Sequence, residues 1–453
     1  MPVPLSAARD CAIAVVGDGF GSAIVYTTAV YLGFRPEEIT IYGPNDNPVN
    51  TYQQFAFNLS QTVLRSESES HFLPADWPTF AELEAWSRKS PTPLYRSARR
   101  RYNPGVPDML AEVKVVAQRL GWNDQRFPAK VGWLQRGGMD GDTPHFVLFD
   151  EQARFIGRAK HVMLSCGHGP LSYPPVLAKA RRDPAMAARI VHAYAPKQYD
   201  ASGRYIVIGS GIASVNEWAN ALDAGAKCIS LVRNPMPDEQ DLNTPRCFFE
   251  ALGIDAFQSL DFDARIEFLG RILKGTSPHR RGWDAKIAEG RAEGRFEQLL
   301  GEIDEVKPGP LGLRVHVSSA HGDDPGWLDV TGVVAGTGFN KSALSIPLLR
   351  RLIEFYKVPI EGGRMKLQSN CGVPGLDRPD SRCAVMGIHA NLVVTHGDTI
   401  AGLKYIGRRF VADCFAADKP RRRAFPSRLA LQLSLANETA KVIRRVRREE
   451  QLA

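Results

Sequence analysis

Closely spaced cysteines are missing from this chain of 453 residues. The seven cysteines are scattered, their number is odd, and no Cys-x-x-Cys occurs. This distribution argues against a disulfide framework, a zinc ribbon and redox exchange through a cysteine pair. It also indicates a reducing compartment, and we expect the protein in the cytoplasm.

Long apolar runs are missing as well. No stretch reaches the roughly 18 uninterrupted apolar residues of a membrane span. The apolar run at 12–34 is broken by its glycines and by Asp18, and it lacks the basic leader and the cleavage site of a signal peptide. With 44% hydrophobic and 23% charged residues, the composition is that of a globular protein of two or three domains.

The net charge of +8 comes almost entirely from the C-terminal tail. Segment 419–450 carries ten Lys/Arg against three acids, and the rest is nearly neutral, so we expect no nucleic-acid partner. The tail has apolar residues at helical spacing, namely Leu429, Leu433, Ala436, Ala440 and Ile443. We favour a helix packed on its own protein or on the mate in a homo-oligomer. The alternative is an amphipathic helix in weak contact with an anionic membrane surface.

Glycine, in contrast, is abundant, and two glycine turns of the same type lie far apart in the chain. The first, Gly17-Asp-Gly-Phe-Gly-Ser22, stands between a β-branched run and an Ala-rich helical stretch. A strand, a Gly-x-Gly turn and a helix present backbone N–H groups at a helix N-terminus, where they bind a pyrophosphate. The residues expected to bind the cofactor here are Gly17, Gly19, Phe20, Gly21 and Ser22.

The second turn has the same context and is expected to bind a second dinucleotide through Gly209, Gly211 and Ser214. The next strand ends at Arg233, where an acidic residue would bind the 2′-hydroxyl of NAD. An arginine accommodates a 2′-phosphate instead, so NADPH is favoured over NADH. The alternative is that Arg233 is only a solvated charge at the strand end.

Two dinucleotide turns in one chain are typical of flavoenzymes that bind FAD and NADPH. They predict an α/β fold with two Rossmann-like dinucleotide-binding domains, the NADPH domain being inserted into the FAD domain. We expect the first part of the FAD domain at 1–200, the NAD(P)H domain at 201–335, the second part of the FAD domain at 336–418 and the basic helical tail at 419–453. Amphipathic patches at 262–273 and 283–300 predict a helical insertion in the second domain.

Several later residues are expected to contact the cofactors. Glycine-rich crossings after two strands place Gly167 and Gly338 there, and Asp46, or a water molecule, takes the ribose contact after the second strand. Segment 386–400 looks like the closing flavin segment, with Gly387 and with a helix that begins at Asp398 or Thr399. The positive end of that helix would point at the flavin pyrimidine ring, although either residue could be only an N-cap.

The Gly-x-Gly FAD turn, the Gly-x-Gly NADPH turn and the late Gly336-Thr-Gly-Phe339 segment occur in the order typical of one family. The chain resembles the class B flavin-dependent monooxygenases, which include flavin-containing, N-hydroxylating and Baeyer–Villiger types. In that family the late segment is Ala-Thr-Gly-Tyr/Phe, and the resemblance covers the organisation of residues 10–410. It implies that NADPH reduces FAD. One oxygen atom from O2 then enters a small amine, sulfur or carbonyl substrate through a flavin peroxide.

The catalytic candidates are Arg65, His396 and Asp398. Arg65 opens segment 65–71, which occupies the general region where some family members place an active-site asparagine, without matching it. The other two stand in the closing flavin segment. His389 and His396 are seven positions apart, but no third ligand stands nearby, so we expect no metal site. Two alternatives remain open, an FAD-dependent NAD(P)H oxidase or reductase without oxygenation, and a non-enzymatic flavin-binding regulatory protein.

Overall fold

Apolar, β-branched runs form most of the strands, as their composition predicts. The computed structural model describes residues 8–64, 66, 68, 71–99, 102–137, 145–234, 245–272, 283–319, 324–418 and 423–452. The strands are β1 (Arg9–Val16), β2 (Ile39–Tyr42), β3 (Arg126–Phe127), β4 (Val131–Arg136), β5 (Phe146–Asp150), β6 (Phe155–Leu164), β7 (Ile190–His192), β8 (Arg204–Ile208), β9 (Lys227–Val232), β10 (Phe296–Leu300), β11 (Glu302–Gly309), β12 (Gly312–Ser318), β13 (Gly326–Val330), β14 (Gly332–Ala335), β15 (Ile360–Glu361), β16 (Arg364–Met365) and β17 (Cys383–Val385).

Helices connect these strands and cover the sheets. They are α1 (Phe20–Leu32), α2 (Asn50–Asn58), α3 (Phe80–Arg88), α4 (Thr92–Ala98), α5 (Val106–Leu120), α6 (Pro175–Ala180), α7 (Pro184–Ala187), α8 (Ile212–Asp223), α9 (Ala251–Gln258), α10 (Phe262–Ile272), α11 (Trp283–Ala292), α12 (Pro347–Tyr356), α13 (Ile400–Asp418) and α14 (Phe425–Leu452). Local sequence sets several of their ends. Helix α3 begins with a capping box between Thr79 and Glu82, and α5 ends at Gly121 in the left-handed conformation.

Two sheets carry the fold. In the first, β3, β2, β1, β6 and β17 run parallel, and β5 and β4 continue antiparallel from the first half of β6. The second sheet is parallel throughout, in the order β10-β9-β8-β14-β7. Its strands lie along the chain between β6 and β17, so the second unit is inserted into the first. The predicted fold class of two Rossmann-like units, one nested in the other, is confirmed.

The domain boundaries stay predictions, although the strand pairings bear on them. Strand β7 precedes residue 201, the expected start of the second domain, and yet it pairs with β14 in the second sheet. Strand β17 belongs to the first sheet, as expected for the returning segment.

Helix α1 is apolar on every side, which indicates a helix that is buried all round. Val25, Tyr26 and Ala29 belong to the core of the first sheet, whereas Ala23 and Ile24 pack in a second core with α3, α5 and α14. Helix α1 is therefore held between two layers, and this fixes the position of the glycine turn before it.

The C-terminal tail forms a long helix that packs on its own chain. Ala436, Ala440 and Ile443 of α14 are buried in the core that also contains parts of α3 and α5. Leu429 and Leu433, in contrast, are each 39% exposed. The reading that we favoured therefore holds for the second half of the apolar stripe, and the contact of the first half with a partner or a membrane stays a prediction.

One expected helix contains a strand. Segment 283–300 was predicted to be helical, but α11 ends at Ala292, Gly294 adopts a φ of 67°, and β10 follows. Strand β10 then pairs with β9 at the edge of the second sheet. The amphipathic pattern of this short segment fits a helix and an edge strand equally well, and the pairing with β9 decides between them.

A buried ion pair ties the second domain to helix α2. Lys197 Nζ lies 2.9 Å from Glu217 Oε1, and both side chains are buried. The same ammonium group donates to the carbonyl oxygens of Ala193 (2.6 Å) and Asn58 (3.2 Å). Since Asn58 is the last residue of α2, this lysine joins the two parts of the molecule.

We expect Lys197→Met to lower the free energy of unfolding by about 3–5 kcal/mol, because the carboxylate of Glu217 would remain buried without its charge partner. The double variant Lys197→Met/Glu217→Gln should recover much of this loss. Urea unfolding followed by tryptophan fluorescence measures both. Equal instability of the single and double variants would contradict the role given to the uncompensated charge.

Candidate active site

The first glycine turn lies where β1 and β6 end side by side. Gly17 has a φ of 115°, and a Cβ there would lie 2.0 Å from Ser165 O, so the turn accepts only glycine. Gly19 precedes the first residue of α1 and has no side-chain cap. A Cβ at Gly19 would meet no atom within 4 Å, so open space lies beside the start of α1. This is the geometry of a pyrophosphate cradle.

Gly21 makes the closest approach between α1 and the sheet. A Cβ there would lie 2.2 Å from Ser165 Oγ and 2.8 Å from Met386 Sδ. Ser22, which occupies the third consensus position, is buried, and its hydroxyl donates to Gly19 O at 2.7 Å. Ser22 therefore stabilises the turn through this hydrogen bond. Its direct contact with a cofactor stays a prediction.

The loop after β2 is attached to this turn by a residue that we did not single out. Asp18 Oδ2 accepts from Asn45 N at 2.6 Å, and Asp18 Oδ1 accepts from Asn45 Nδ2 at 3.0 Å. Asp46, the expected ribose contact, is exposed and accepts from Asn50 Nδ2 at 3.2 Å. The aspartate inside the glycine turn thus lies at the end of β2, where the ribose acid was sought.

Two further residues of the first site have different surroundings. Phe20 packs edge-on against Phe72, with ring centroids 4.8 Å apart, and tilted against Tyr52 at 5.0 Å. Gly167 follows β6 with a φ of 73°, and a Cβ there would meet no atom within 4 Å. Their contacts with the cofactor stay predictions, and Gly167 borders open space as a cradle residue should.

The second glycine turn repeats this architecture at β8 and α8. A Cβ at Gly209 would lie 2.7 Å from Gly336 O, whereas Gly211, just before α8, meets no atom within 4 Å. Ser214 is buried and donates to Ile208 O at 3.2 Å. Ser214 Oγ also lies 3.4 Å from Gly336 O, directly after β14, and so links the turn to that strand. Open space lies beside Gly211 at the N-terminus of α8.

This second turn opens into a cavity of about 1050 Å³ at the carboxyl ends of β8, β9 and β14. Its lining includes Gly209, Gly211, Arg233, Arg271, Thr337 and Lys341. The Arg233 side chain is 77% exposed, and its Nε lies 3.7 Å from Glu302 Oε1. A pair at this distance between exposed groups is weak, so it would compete little with a phosphate.

Aromatic rings surround the crossing between the two sheets. Phe339 stacks on His168, with ring centroids 4.4 Å apart, and on Tyr194 at 4.9 Å. Gly338, next to Phe339, has a φ of 70° and open space beside it. The crossing thus combines an open glycine with a wall of stacked rings, which suits a flat ring system.

The closing segment places Thr399 as the N-cap of α13. Thr399 Oγ1 accepts from Gly402 N at 3.1 Å and donates to His396 O at 2.8 Å. Gly387, at a φ of 79°, has open space beside it. Asp398 is exposed and accepts from Asn391 Nδ2 at 3.1 Å. The capping reading of Thr399 is confirmed, and its contact with a flavin stays a prediction.

His396 is a packed residue. Its ring stacks on Phe249 at 4.2 Å, and its Nδ1 lies 3.4 Å from Thr395 Oγ1. Burial lowers the pKa of His396 to about 4, so the ring is neutral near pH 7. Its predicted catalytic role is untested, and Arg65, the third catalytic candidate, lies outside the described residues.

Sequence reasoning missed a polar group beside the closing segment that consists of His389, Arg364 and Lys341. Burial, and then the charge of Arg364, lower the pKa of His389 to about 4. Burial and the same arginine also lower the pKa of Lys341. The three residues come from separate parts of the chain. The sequence signals were the position of His389 in the closing flavin segment and that of Lys341 next to the crossing.

Among the described residues, no group of three or more His, Cys, Asp or Glu side chains is arranged to hold a metal ion. No helix in the described part of the chain is long and apolar enough to cross a membrane.

The nested sheets and the two cradles define the fold of a two-dinucleotide flavoprotein. No protein-family model matches the chain. No curated protein matches it either.

Solved structures, however, share the fold over nearly the whole chain. An ornithine N-hydroxylase from Kutzneria sp. 744, solved with reduced FAD, NADP+ and L-ornithine, is 13% identical with a TM-score of 0.66, over 90% of this chain and 99% of that one. L-lysine 6-monooxygenase from Pseudomonas syringae is 16% identical with a TM-score of 0.65, over 90% of this chain and 100% of that one. A bacillithiol disulfide reductase from Bacillus cereus is 13% identical with a TM-score of 0.52, over the same shares.

We expect Gly19→Glu to abolish flavin binding while the protein stays folded. The new side chain would meet no protein atom within 4 Å of its Cβ, but its charge would enter the space of the pyrophosphate. Gly211→Glu is the matched control, because it places the same group in the second cradle. It should keep the flavin and lose NADPH binding. Absorbance of the bound flavin and NADP+ titration calorimetry measure the two effects, and full flavin content in Gly19→Glu would contradict the assignment.

We expect Arg233→Ala to weaken the binding of NADPH by about 1.5–3 kcal/mol, or roughly ten- to a hundredfold, and to change the binding of NADH little. The kinetics of flavin reduction with each nicotinamide measure the ratio. Arg204 is the first residue of β8 and so lies at the edge of the sheet opposite to the glycine turn. Arg204→Ala should therefore leave that ratio unchanged. An equal loss for NADPH and NADH in Arg233→Ala would mean that Arg233 does not bind the 2′-phosphate.

Proposed function

We propose that the protein is an FAD-dependent, NADPH-using monooxygenase that hydroxylates the nitrogen of a small primary amine. The observation that carries the proposal is the combination of two open glycine cradles with a fold shared, over 90% of the chain, with ornithine and lysine hydroxylases. The overall reaction would consume one amine, one O2, one NADPH and one proton, and yield one hydroxylamine, one water and one NADP+. Of the substrate classes that the motifs left open, the amine is favoured because these relatives act on amines.

The residues of this chain would bind and orient the reactants. Gly17, Gly19 and the N-terminus of α1 would hold the pyrophosphate of FAD, and Gly209, Gly211 and the N-terminus of α8 that of NADPH. FAD supplies the transfer of electrons from NADPH to O2 when it is bound. The stacked rings of His168, Phe339 and Tyr194 would exclude water from the crossing between the two sites.

A disulfide reductase is the second candidate, because one of the solved structures with this fold has that activity. The thiols of this chain argue against it. Burial raises the pKa of Cys166 to about 12 and that of Cys371 to about 12, so little of the reactive thiolate forms. All seven cysteines are free, and none belongs to a Cys-x-x-Cys pair.

We propose separately that the exposed first half of the apolar stripe on α14 is a contact surface. Leu429 and Leu433 lie beside Gln432, which donates to Trp77 O at 2.7 Å, and the Trp77 side chain is itself exposed. Such a surface fits a contact with a second copy of the chain or a weak contact with an anionic membrane. Neither contact is needed for the proposed reaction.

We expect the purified protein to be yellow and, with NADPH, O2 and the right amine, to form a hydroxylamine in near-equal amount to the NADPH consumed. Mass spectrometry of an amine panel that includes L-ornithine and L-lysine, with assays for NADPH and hydrogen peroxide, measures this ratio. Gly211→Glu should consume no NADPH. Hydrogen peroxide as the only product with every amine would support an oxidase, and the absence of NADPH oxidation would support a binding protein.

A further inference from the structure

The strongest unexplained feature near the crossing is a buried histidine without partners. His389 lies in the turn Gly387–Ala390 after β17 and is 4% exposed. Neither of its ring nitrogens has a hydrogen-bond partner within the described part of the chain. Buried polar atoms are rarely left unpaired, and a neutral imidazole has one donor and one acceptor to satisfy. The ring therefore calls for a ligand with polar atoms at this place.

One cation contacts this turn, and a second lies close enough to that cation for its pKa to be lowered by it. Arg364, on β16, donates to Ile388 O at 3.0 Å, the carbonyl directly before His389. Lys341 follows the crossing and lines the cavity of the second glycine turn. Within the described residues, neither cation has a carboxylate at ion-pair distance. The more distant charge of Asp398 acts to raise the pKa of both. Two neighbouring cations with one more distant carboxylate leave an excess of positive charge.

We propose that His389, Arg364 and Lys341 form an anion subsite for the pyrimidine edge of the flavin, where they stabilise the negative charge of the reduced cofactor. This inference rests on the proposed function, since it assumes that FAD is bound. The charge that reduction brings spreads over the N1 and C2 carbonyl positions of the flavin ring, and preorganised cations and donors stabilise it there.

The place of the cluster favours the flavin over other anions. Arg364 binds the backbone of the turn that begins at Gly387, and a Cβ at Gly387 would meet no atom within 4 Å. The same segment leads through the Thr399 cap to α13, whose N-terminus adds a partial positive charge. The dinucleotide phosphates already have their own cradles at α1 and α8, whereas His389 and Arg364 lie at the turn after β17.

Arg364→Met and Lys341→Met test the subsite, with Lys366→Met as the control. Lys366 lies two residues from Arg364, and Lys366→Met removes a positive charge just as the test variants do. Its Nζ, however, lies 2.6 Å from Glu361 Oε2 in a partly exposed ion pair. The readouts are the two-electron midpoint potential of the bound flavin and its affinity for sulfite, an anion whose addition also drives charge to the pyrimidine edge. Each test variant should bind sulfite roughly tenfold more weakly and lower the potential by about 30 mV, which is a tenfold change for a two-electron couple.

The outcomes separate this inference from the proposed function. Loss of sulfite affinity in both test variants, with Lys366→Met unchanged, supports the subsite. An unchanged potential in flavin-loaded Arg364→Met and Lys341→Met overturns it, and so does an effect confined to the KM of amines that carry a carboxylate. If His389→Gln keeps the potential and His389→Leu lowers it, the imidazole acts as a hydrogen-bonding group. Wild-type protein without flavin would instead overturn the proposed function itself.

Discussion

The close approach of helix α1 to the end of β6 is the constraint on which the first cofactor site depends. Side chains at Gly17 or Gly21 would collide with Ser165, so the helix can begin directly beside the sheet only because both residues lack a Cβ. The helix then starts beside open space where β1 and β6 end together. Helix α1 packs between two hydrophobic cores and so holds this geometry in place. The packing keeps the glycine turn in a fixed position.

The second cradle meets the same constraint with other residues. Ser214 donates to Ile208 O, and a Cβ at Gly336 would lie 2.1 Å from its hydroxyl oxygen. The late glycine of the crossing, which stands where the resembling family has alanine, is therefore a packing partner of the second turn. Both cradles consist of a helix N-terminus left open by one glycine and a close contact permitted by another.

Nesting of the second unit brings distant residues together. The chain leaves the first sheet after β6 and returns to it at β17, so the crossing with Phe339 and the turn with His389 lie at neighbouring places in the fold although about fifty positions separate them. Arg364 thereby comes close enough to Lys341 and to the unpaired imidazole of His389 for its charge to lower the pKa of both. Buried charge without a counter-charge destabilises a folded protein unless a ligand compensates it. Such a cluster therefore indicates a binding site for a group with polar or negatively charged atoms.

The sequence by itself determined the two strand–turn–helix units and their nested order, because glycine spacing and apolar runs are local signals. It also favoured a packed tail helix, and the structure buries Ala436, Ala440 and Ile443 of that helix. Only the tertiary structure decided that segment 296–300 is a strand, since its pairing with β9 outweighs a local pattern that fits a helix as well. Only the tertiary structure, too, brought Asp18 to the loop after β2 and Arg364 to His389, because contacts between residues far apart in the chain leave no periodic trace in it.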